Sequence, residues 1–164
     1  MVRKFAIFLA QLSGSSDADM LSQPRVTHSE VIPAPAEEVW DLLRGFDTID
    51  EWHPGITDCT IEDGQASDQV GAVRNFQAGG RTLREQLVAH SDVDRFYQYT
   101  IVDGGGAKDD YLSELRVIPI TESNETVVVW TGDFDAPPDE MAEEKEGLSA
   151  VYTGGLDGIR ERFE

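Results

Sequence analysis

Between Val70 and Leu87 the chain reads VGAVRNFQAGGRTLREQL, two runs of strand-forming residues joined at Gly79–Gly80. Both central residues of a type I′ turn need positive φ, which a glycine pair supplies without a steric penalty. A two-residue loop also sets the register: Ala78 faces Arg81, Phe76 faces Leu83, Arg74 faces Glu85 and Ala72 faces Leu87. Strand alternation gathers these pairs, with Val70, on one face. The other face sets Asn75 against Arg84 and Val73 against Gln86 and is more polar. An arginine and a glutamate therefore stand mid-strand among apolar residues.

Two readings fit that pair. As a cross-strand salt bridge it would contribute roughly 0.2–1 kcal/mol, and a buried pair returns little net stability once desolvation is counted. As part of a binding or catalytic site it fits the tendency of buried charges to gather where chemistry happens. If alternation continues, Tyr97, Tyr99 and Ile101, then Tyr111, Ser113, Leu115 and Val117, join the same face. Three phenols and an ion pair on an apolar surface suggest the lining of a cavity. Glu85 and Arg74 are the candidate reactive pair, with Phe76, Leu83, Leu87, Tyr97, Tyr99 and Ser113 as candidate ligand contacts.

Upstream of the hairpin, RVTHSEVI is a β-branched strand that ends at PAPAEEVWDLLRGF, where Pro35, Glu37 and Glu38 suit a first helical turn. Val39, Trp40, Leu42, Leu43 and Phe46 recur at helical spacing, and Gly45 stands at the stop. A second short helix or turn, DTIDEWHPG, is broken by Pro54. Strands are expected at about 56–62, 70–77, 82–90, 96–102, 111–118 and 126–135. Trp130 lies where both parities are apolar, so its face stays open. The last segment changes to a helical period of about six turns. Met141, Leu148, Val151, Tyr152, Ile159 and Phe163 lie near one stripe, and Leu148, Val151 and Tyr152 are its candidate ligand contacts. Gly147, Gly154, Gly155 and Gly158 each cost roughly 1 kcal/mol relative to alanine. Either they kink the helix or make room beneath it, or they sit loosely on an exposed face. The order is strand, two short helices, six strands, long helix: an α+β domain whose antiparallel sheet curls around the terminal helix.

Composition narrows the function. At 164 residues, 40% hydrophobic and 9% aromatic, the chain suits one folded domain. A net charge of −19 with three lysines repels phosphate backbones and anionic lipid headgroups, so neither nucleic acid nor a membrane surface is an expected partner. High-salt adaptation and genome composition explain that acidity equally well. Cys59 is alone and reads as a small buried hydrophobe. His28, His53 and His90 lack ligand spacing, and no Walker loop, HExxH or GxSxG occurs, so no metal or cofactor is expected. His53 reads either as a cavity-entrance residue or as a turn residue before Pro54, and Trp40 and Trp52 read as packing between short helices and sheet. Residues 1–24 form a leader: two basic residues, an apolar run over 5–12 interrupted by Gln11, then small residues to Ala18. The outline is that of a weak signal peptide. The expectation is a cytoplasmic domain over 25–164, monomeric or weakly dimeric, with export to the periplasm as the alternative. No stretch is long enough to span a bilayer.

The segments VIPAPAEEVWDLLRGFDTIDEWHPGITDC, VGAVRNF, LREQLVAHSDVDRFYQYTIVDG and DYLSELRVIP resemble the START-like, or SRPBCC, superfamily, the polyketide cyclase/dehydrase and lipid-transport group. Within it the chain is similar to small bacterial proteins related to plant lachrymatory-factor synthase and the abscisic-acid receptors. The resemblance implies a helix-grip fold, seven antiparallel strands wrapped around the C-terminal helix with two short helices after the first strand, enclosing a cavity. It also implies that Arg74, Glu85 and Tyr111 match the arginine, glutamate and tyrosine that carry the chemistry in the synthase-like members. Three features depart from the receptors: the short Gly79–Gly80 turn, Thr57 in place of a lysine, and GGGAKDD over 104–110 in place of a histidine-bearing loop. Three functions follow as expectations. One is a cofactor-free lyase, cyclase or isomerase in which Glu85 moves a proton, Arg74 stabilises negative charge and Tyr99 or Tyr111 donates a hydrogen bond. The second is a carrier of a small hydrophobic molecule. The third is an accessory factor that binds a protein partner.

Overall fold

The computed structural model describes residues 24–164, so the expected leader lies outside the described residues except for Pro24. The elements are β1 (Val26–Ile32), α1 (Ala36–Leu43), α2 (Ile49–Trp52), β2 (Ile56–Ile61), a 3-10 turn (Glu62–Gly64), β3 (Val73–Ala78), β4 (Arg81–Ser91), β5 (Phe96–Asp103), β6 (Asp109–Ile120), β7 (Glu125–Asp135) and α3 (Met141–Glu161). The strands form one sheet in the order β1-β7-β6-β5-β4-β3-β2, with every neighbouring pair antiparallel. This is the helix-grip architecture expected above. Among the described residues no helix is long and apolar enough to cross a membrane.

The β3–β4 hairpin forms in the register its glycine pair dictates, with Gly79 at φ +56° and Gly80 at φ +77°. Arg74 faces Glu85, Phe76 faces Leu83 and Ala78 faces Arg81. Val70 is a correction: it is 57% exposed and lies outside the strand. The chain turns before β3, where the Ala72 N–H closes onto the Gln69 carbonyl at 2.9 Å. Ala72 still meets Leu87, whose N–H donates to its carbonyl at 2.9 Å.

Helix α1 buries Val39, Trp40 and Leu43, the stripe its spacing marks. Trp40 packs near Tyr97, ring centroids 6.3 Å apart, and its indole N–H donates to Asp92 at 2.8 Å. Trp52 meets Trp130 edge-on at 5.6 Å. Both tryptophans bridge a short helix to the sheet or α3, and each large buried side chain contributes roughly 1.5–3 kcal/mol.

The glycines of α3 divide. A Cβ at Gly155 would lie 2.6 Å from Trp130 and 2.7 Å from His53, and one at Gly158 would lie 2.1 Å from the Trp52 carbonyl oxygen. These two form a notch into which α2 docks. A Cβ at Gly147 or Gly154 would meet no neighbouring atom within 4 Å. Room beneath the helix and looseness on its exposed face are both present, on different residues.

Candidate functional site

The concave face of the sheet and α3 enclose a cavity of about 570 Å³, within the range of roughly 300–1,000 Å³ common for small-molecule sites. Leu83, Phe76, Ile101 and Leu148 supply apolar wall, and Glu85, Tyr99, Tyr111 and Tyr152 bring polar atoms to it.

On the strand wall, the register of β3 and β4 brings Arg74 and Glu85 together. Nε and one terminal nitrogen of Arg74 donate to the same oxygen, Glu85 Oε2, at 2.8 and 2.6 Å. The other terminal nitrogen donates to the Phe46 carbonyl at 3.0 Å. The guanidinium carbon lies 4.0 Å from the Phe46 ring centroid and 4.9 Å from that of Tyr99, a stacked setting that suits a weakly hydrated planar cation. Arg74 is wholly buried and does not border the cavity; it stands behind Glu85 and holds it. Glu85 does border the cavity, and its Oε1 makes no hydrogen bond among the described residues. Burial pushes Glu85 above the usual carboxylate range, with Arg74 offsetting part of that rise. Burial also works against the charge of Arg74, but Glu85 holds that guanidinium above its ordinary value.

The opposite wall, built by β6, β7 and α3, carries a hydrogen-bond chain whose direction can be deduced. Ser113 Oγ lies 2.8 Å from the Thr131 carbonyl. A carbonyl only accepts, so Ser113 donates. The Tyr152 proton then goes to Ser113 Oγ at 2.8 Å or to the Thr131 carbonyl at 3.2 Å, and in either case the 2.8 Å contact between Tyr152 and Tyr111 carries the Tyr111 proton. Every proton of that chain is committed. Tyr99 differs. Its hydroxyl accepts from the Trp130 indole N–H at 3.0 Å, and its own proton has no acceptor among the described residues. Burial raises both Tyr99 and Tyr111 well above the ordinary phenol range, so both stay protonated.

Of the sequence-derived candidates, Glu85, Tyr111, Phe76, Leu83 and Tyr99 border the cavity from the sheet, and Leu148, Val151 and Tyr152 border it from α3. Arg74, Leu87, Tyr97 and Ser113 are buried behind that lining. The Tyr97 hydroxyl has no hydrogen-bond partner among the described residues. Cys59 is half-buried and packs against the core; burial pushes its thiol up to about 12, which leaves no thiolate near neutrality.

A family model described as polyketide cyclase / dehydrase and lipid transport matches residues 23–164. The chain belongs to that family. Within 112 aligned residues, 65% of the chain, it is 30% identical to the abscisic acid receptor PYL7 of Arabidopsis thaliana. It spans about half the length of that relative, 52%. The protein XoxI of Bacillus cereus superposes with a TM-score of 0.76 at 30% identity, over 84% of this chain and 94% of that one. The di-domain ARO/CYC protein BexL, at 12% identity, shares the fold alone, with a TM-score of 0.70 over 83% of this chain and 45% of its own.

In this member of the polyketide cyclase / dehydrase family several cavity residues escape sequence reasoning. Trp130 is fully buried, borders the cavity and stacks on Tyr152 at 4.4 Å. A signal existed: polar Thr131, Asp133 and Asp135 mark the outward parity of β7, which leaves Trp130, Gly132 and Phe134 inward. His53 serves the turn before Pro54 and also lines the cavity. Its Nδ1 accepts the Gly55 N–H at 3.0 Å, and its Nε2 lies 2.9 Å from the Val151 carbonyl. That pattern requires the neutral tautomer with the proton on Nε2. Burial lowers the imidazole below its usual range. At the mouth, Glu144 of α3 accepts from Lys108 and from the Ala107 N–H at 3.0 Å, which ties the β5–β6 loop to the helix. No periodicity links Lys108 to Glu144.

Proposed function

We propose that this chain binds a small, largely apolar molecule in the cavity between sheet and α3, and that Glu85 exchanges a proton with the head group of that molecule. The observation that carries the reading is the unpartnered Oε1 of a buried carboxylate at the wall of an apolar cavity. A carboxylate pushed above its usual range works as an acid or base closer to neutral pH. Arg74 is a positioning residue here. It fixes Oε2, so that Oε1 is the oxygen turned to the ligand, and its charge limits how far Glu85 rises. Tyr99 supplies the hydrogen bond that would stabilise charge building on the ligand. The chemistry open to such a site without a cofactor is proton transfer at carbon next to a carbonyl, with the cyclisation, dehydration or isomerisation that follows.

Family membership and the relative named as a receptor support binding more directly than turnover. The test is native mass spectrometry of the protein purified from two expression hosts, followed by incubation of extracted apolar metabolites in heavy water. A catalytic role requires product, or deuterium placed on carbon, with wild type and none with Glu85→Gln. A bound molecule recovered unchanged in both would leave a carrier. Protein that stays empty in both hosts and binds nothing from the extracts would sink the binding reading.

A further inference from the structure

The free valences of the cavity specify the head group it takes, an inference that rests on the binding reading above. Two buried polar groups facing the cavity lack a complete set of partners. Tyr99 has a proton and no acceptor for it, and Glu85 has an acceptor oxygen and no donor to it. The other phenols are not available as donors. Tyr111 gives its proton to Tyr152, and Tyr152 gives its own to Ser113 or to the Thr131 carbonyl. The two free groups are neighbours. Leu87 pairs with Tyr99 and Glu85 with Ile101, so Tyr99 and Glu85 are diagonal partners across β4 and β5 on the inward face. Tyr99 also lies over the guanidinium that holds Glu85.

A single hydroxyl satisfies both groups at once: its proton goes to Glu85 Oε1 and its oxygen accepts from Tyr99. A carboxylate satisfies only one of them. It could accept from Tyr99 but would bring negative charge against Glu85. Arg74 is not free to receive it, because its three nitrogens already donate to Glu85 and Phe46 and it does not border the cavity. Of the cations that do border it, Lys108 is held by Glu144 and Arg81 is solvent-exposed. We infer that the cavity selects apolar molecules with a neutral hydroxyl head, an alcohol, phenol or enol, and rejects carboxylates of the same shape. The preference runs opposite to what the acid in the name of the curated relative would suggest.

The experiment uses N-phenyl-1-naphthylamine, a neutral apolar fluorophore, as a cavity reporter on the full chain near pH 7.5, with 4-hexylphenol and 4-hexylbenzoate as competitors. Wild type is expected to release the reporter to the phenol at a concentration at least tenfold lower than to the benzoate. Tyr99→Phe should weaken the phenol up to about tenfold, the loss of one hydrogen bond in a buried site, and change the benzoate less. Glu85→Gln should shrink or reverse the preference, since it removes the repelling charge and leaves Arg74 uncompensated. Reporter binding by each variant shows that its cavity has formed, and the wild-type ratio decides the matter without either. Equal displacement by phenol and benzoate overturns the head-group inference while leaving the cavity reading intact. Failure of the reporter to bind wild type overturns both.

Discussion

On the β3–β4 wall of the cavity Glu85 gives one oxygen to Arg74 and keeps the other, whereas on the wall built by β6 and α3 Tyr111, Tyr152 and Ser113 pass every proton along to the Thr131 carbonyl. Both sets of side chains are buried. They differ in what remains after internal partners are satisfied. Burial and residue type mark a polar group as unusual, but only the direction of its hydrogen bonds tells whether it faces a ligand or serves the fold.

The largest effect expected from this contrast is at the ion pair. Arg74→Met leaves a buried carboxylate without its partner and should lose about 3–5 kcal/mol of unfolding free energy. The double change Arg74→Met/Glu85→Gln removes both charges and should recover part of that loss. Urea denaturation of the three proteins measures it. Equal losses in the single and double variants would mean that the orphaned carboxylate charge is not what destabilises Arg74→Met.

The glycines of α3 come next. Gly155→Ala and Gly158→Ala force a methyl into Trp130, His53 and the Trp52 backbone and should cost roughly 1–3 kcal/mol. Gly154→Ala meets open space and should gain up to about 1 kcal/mol through helix propensity. In a domain of this size each kcal/mol moves the melting midpoint by roughly 2–4 °C. Shifts of one sign at Gly154 and Gly155 would argue against the notch.

A smaller difference separates Ser113 from Tyr99. Ser113→Ala removes one of the two acceptors within reach of Tyr152, which keeps the Thr131 carbonyl 3.2 Å away. It should therefore cost about 1 kcal/mol of stability and leave affinity for 4-hexylphenol unchanged. Tyr99→Phe should do the reverse, since Trp130 keeps Ser113 as an acceptor at 3.1 Å. Calorimetric melting beside reporter displacement separates the two. A Ser113→Ala protein that loses phenol binding as Tyr99→Phe does would erase the distinction between the walls.

The hairpin was legible because its constraints are local. Two glycines fix the turn, the turn fixes the register, and the register puts Arg74 against Glu85. The element order followed from periodicities of two and 3.6, and it was sufficient for the architecture. Val70 was misread because a strand pattern carries no mark of where a preceding turn closes. The lining was only partly legible. Alternation assigns a side chain to the inward face but not to its depth there, so Arg74, Leu87, Tyr97 and Ser113 looked equivalent to Glu85 and Tyr99 and lie behind them. The tie between Lys108 and Glu144 joins segments far apart in sequence, and the direction of the phenol chain depends on oxygen–oxygen distances that no sequence pattern encodes.

A final contrast lies in the pH dependence, where Glu85 and His53 act in opposite senses. Glu85 is held above its ordinary value, so the native chain binds more protons than the unfolded chain there. Its contribution is fully present below the ordinary carboxylate value of about 4.3 and is lost as pH rises through the native value. His53 is held below its ordinary value, so the unfolded chain binds more protons. Its contribution is present above about pH 6.5 and is lost as pH falls toward the native value. Denaturation of wild type and His53→Gln between pH 7.5 and 5 should therefore give converging curves. The difference changes by no more than about 1.4 kcal/mol per pH unit, the limit for one proton. Parallel curves would show that His53 takes up a proton without resistance. The structure gives a reason for resistance beyond burial. A proton added at Nδ1 would meet the Gly55 N–H that now donates to it, so the turn between α2 and β2 must open before the ring can charge. Because His53, Gly55 and Ile56 all border the cavity, that opening disturbs its wall, and release of N-phenyl-1-naphthylamine should follow the same acid limb in wild type and be absent in His53→Gln.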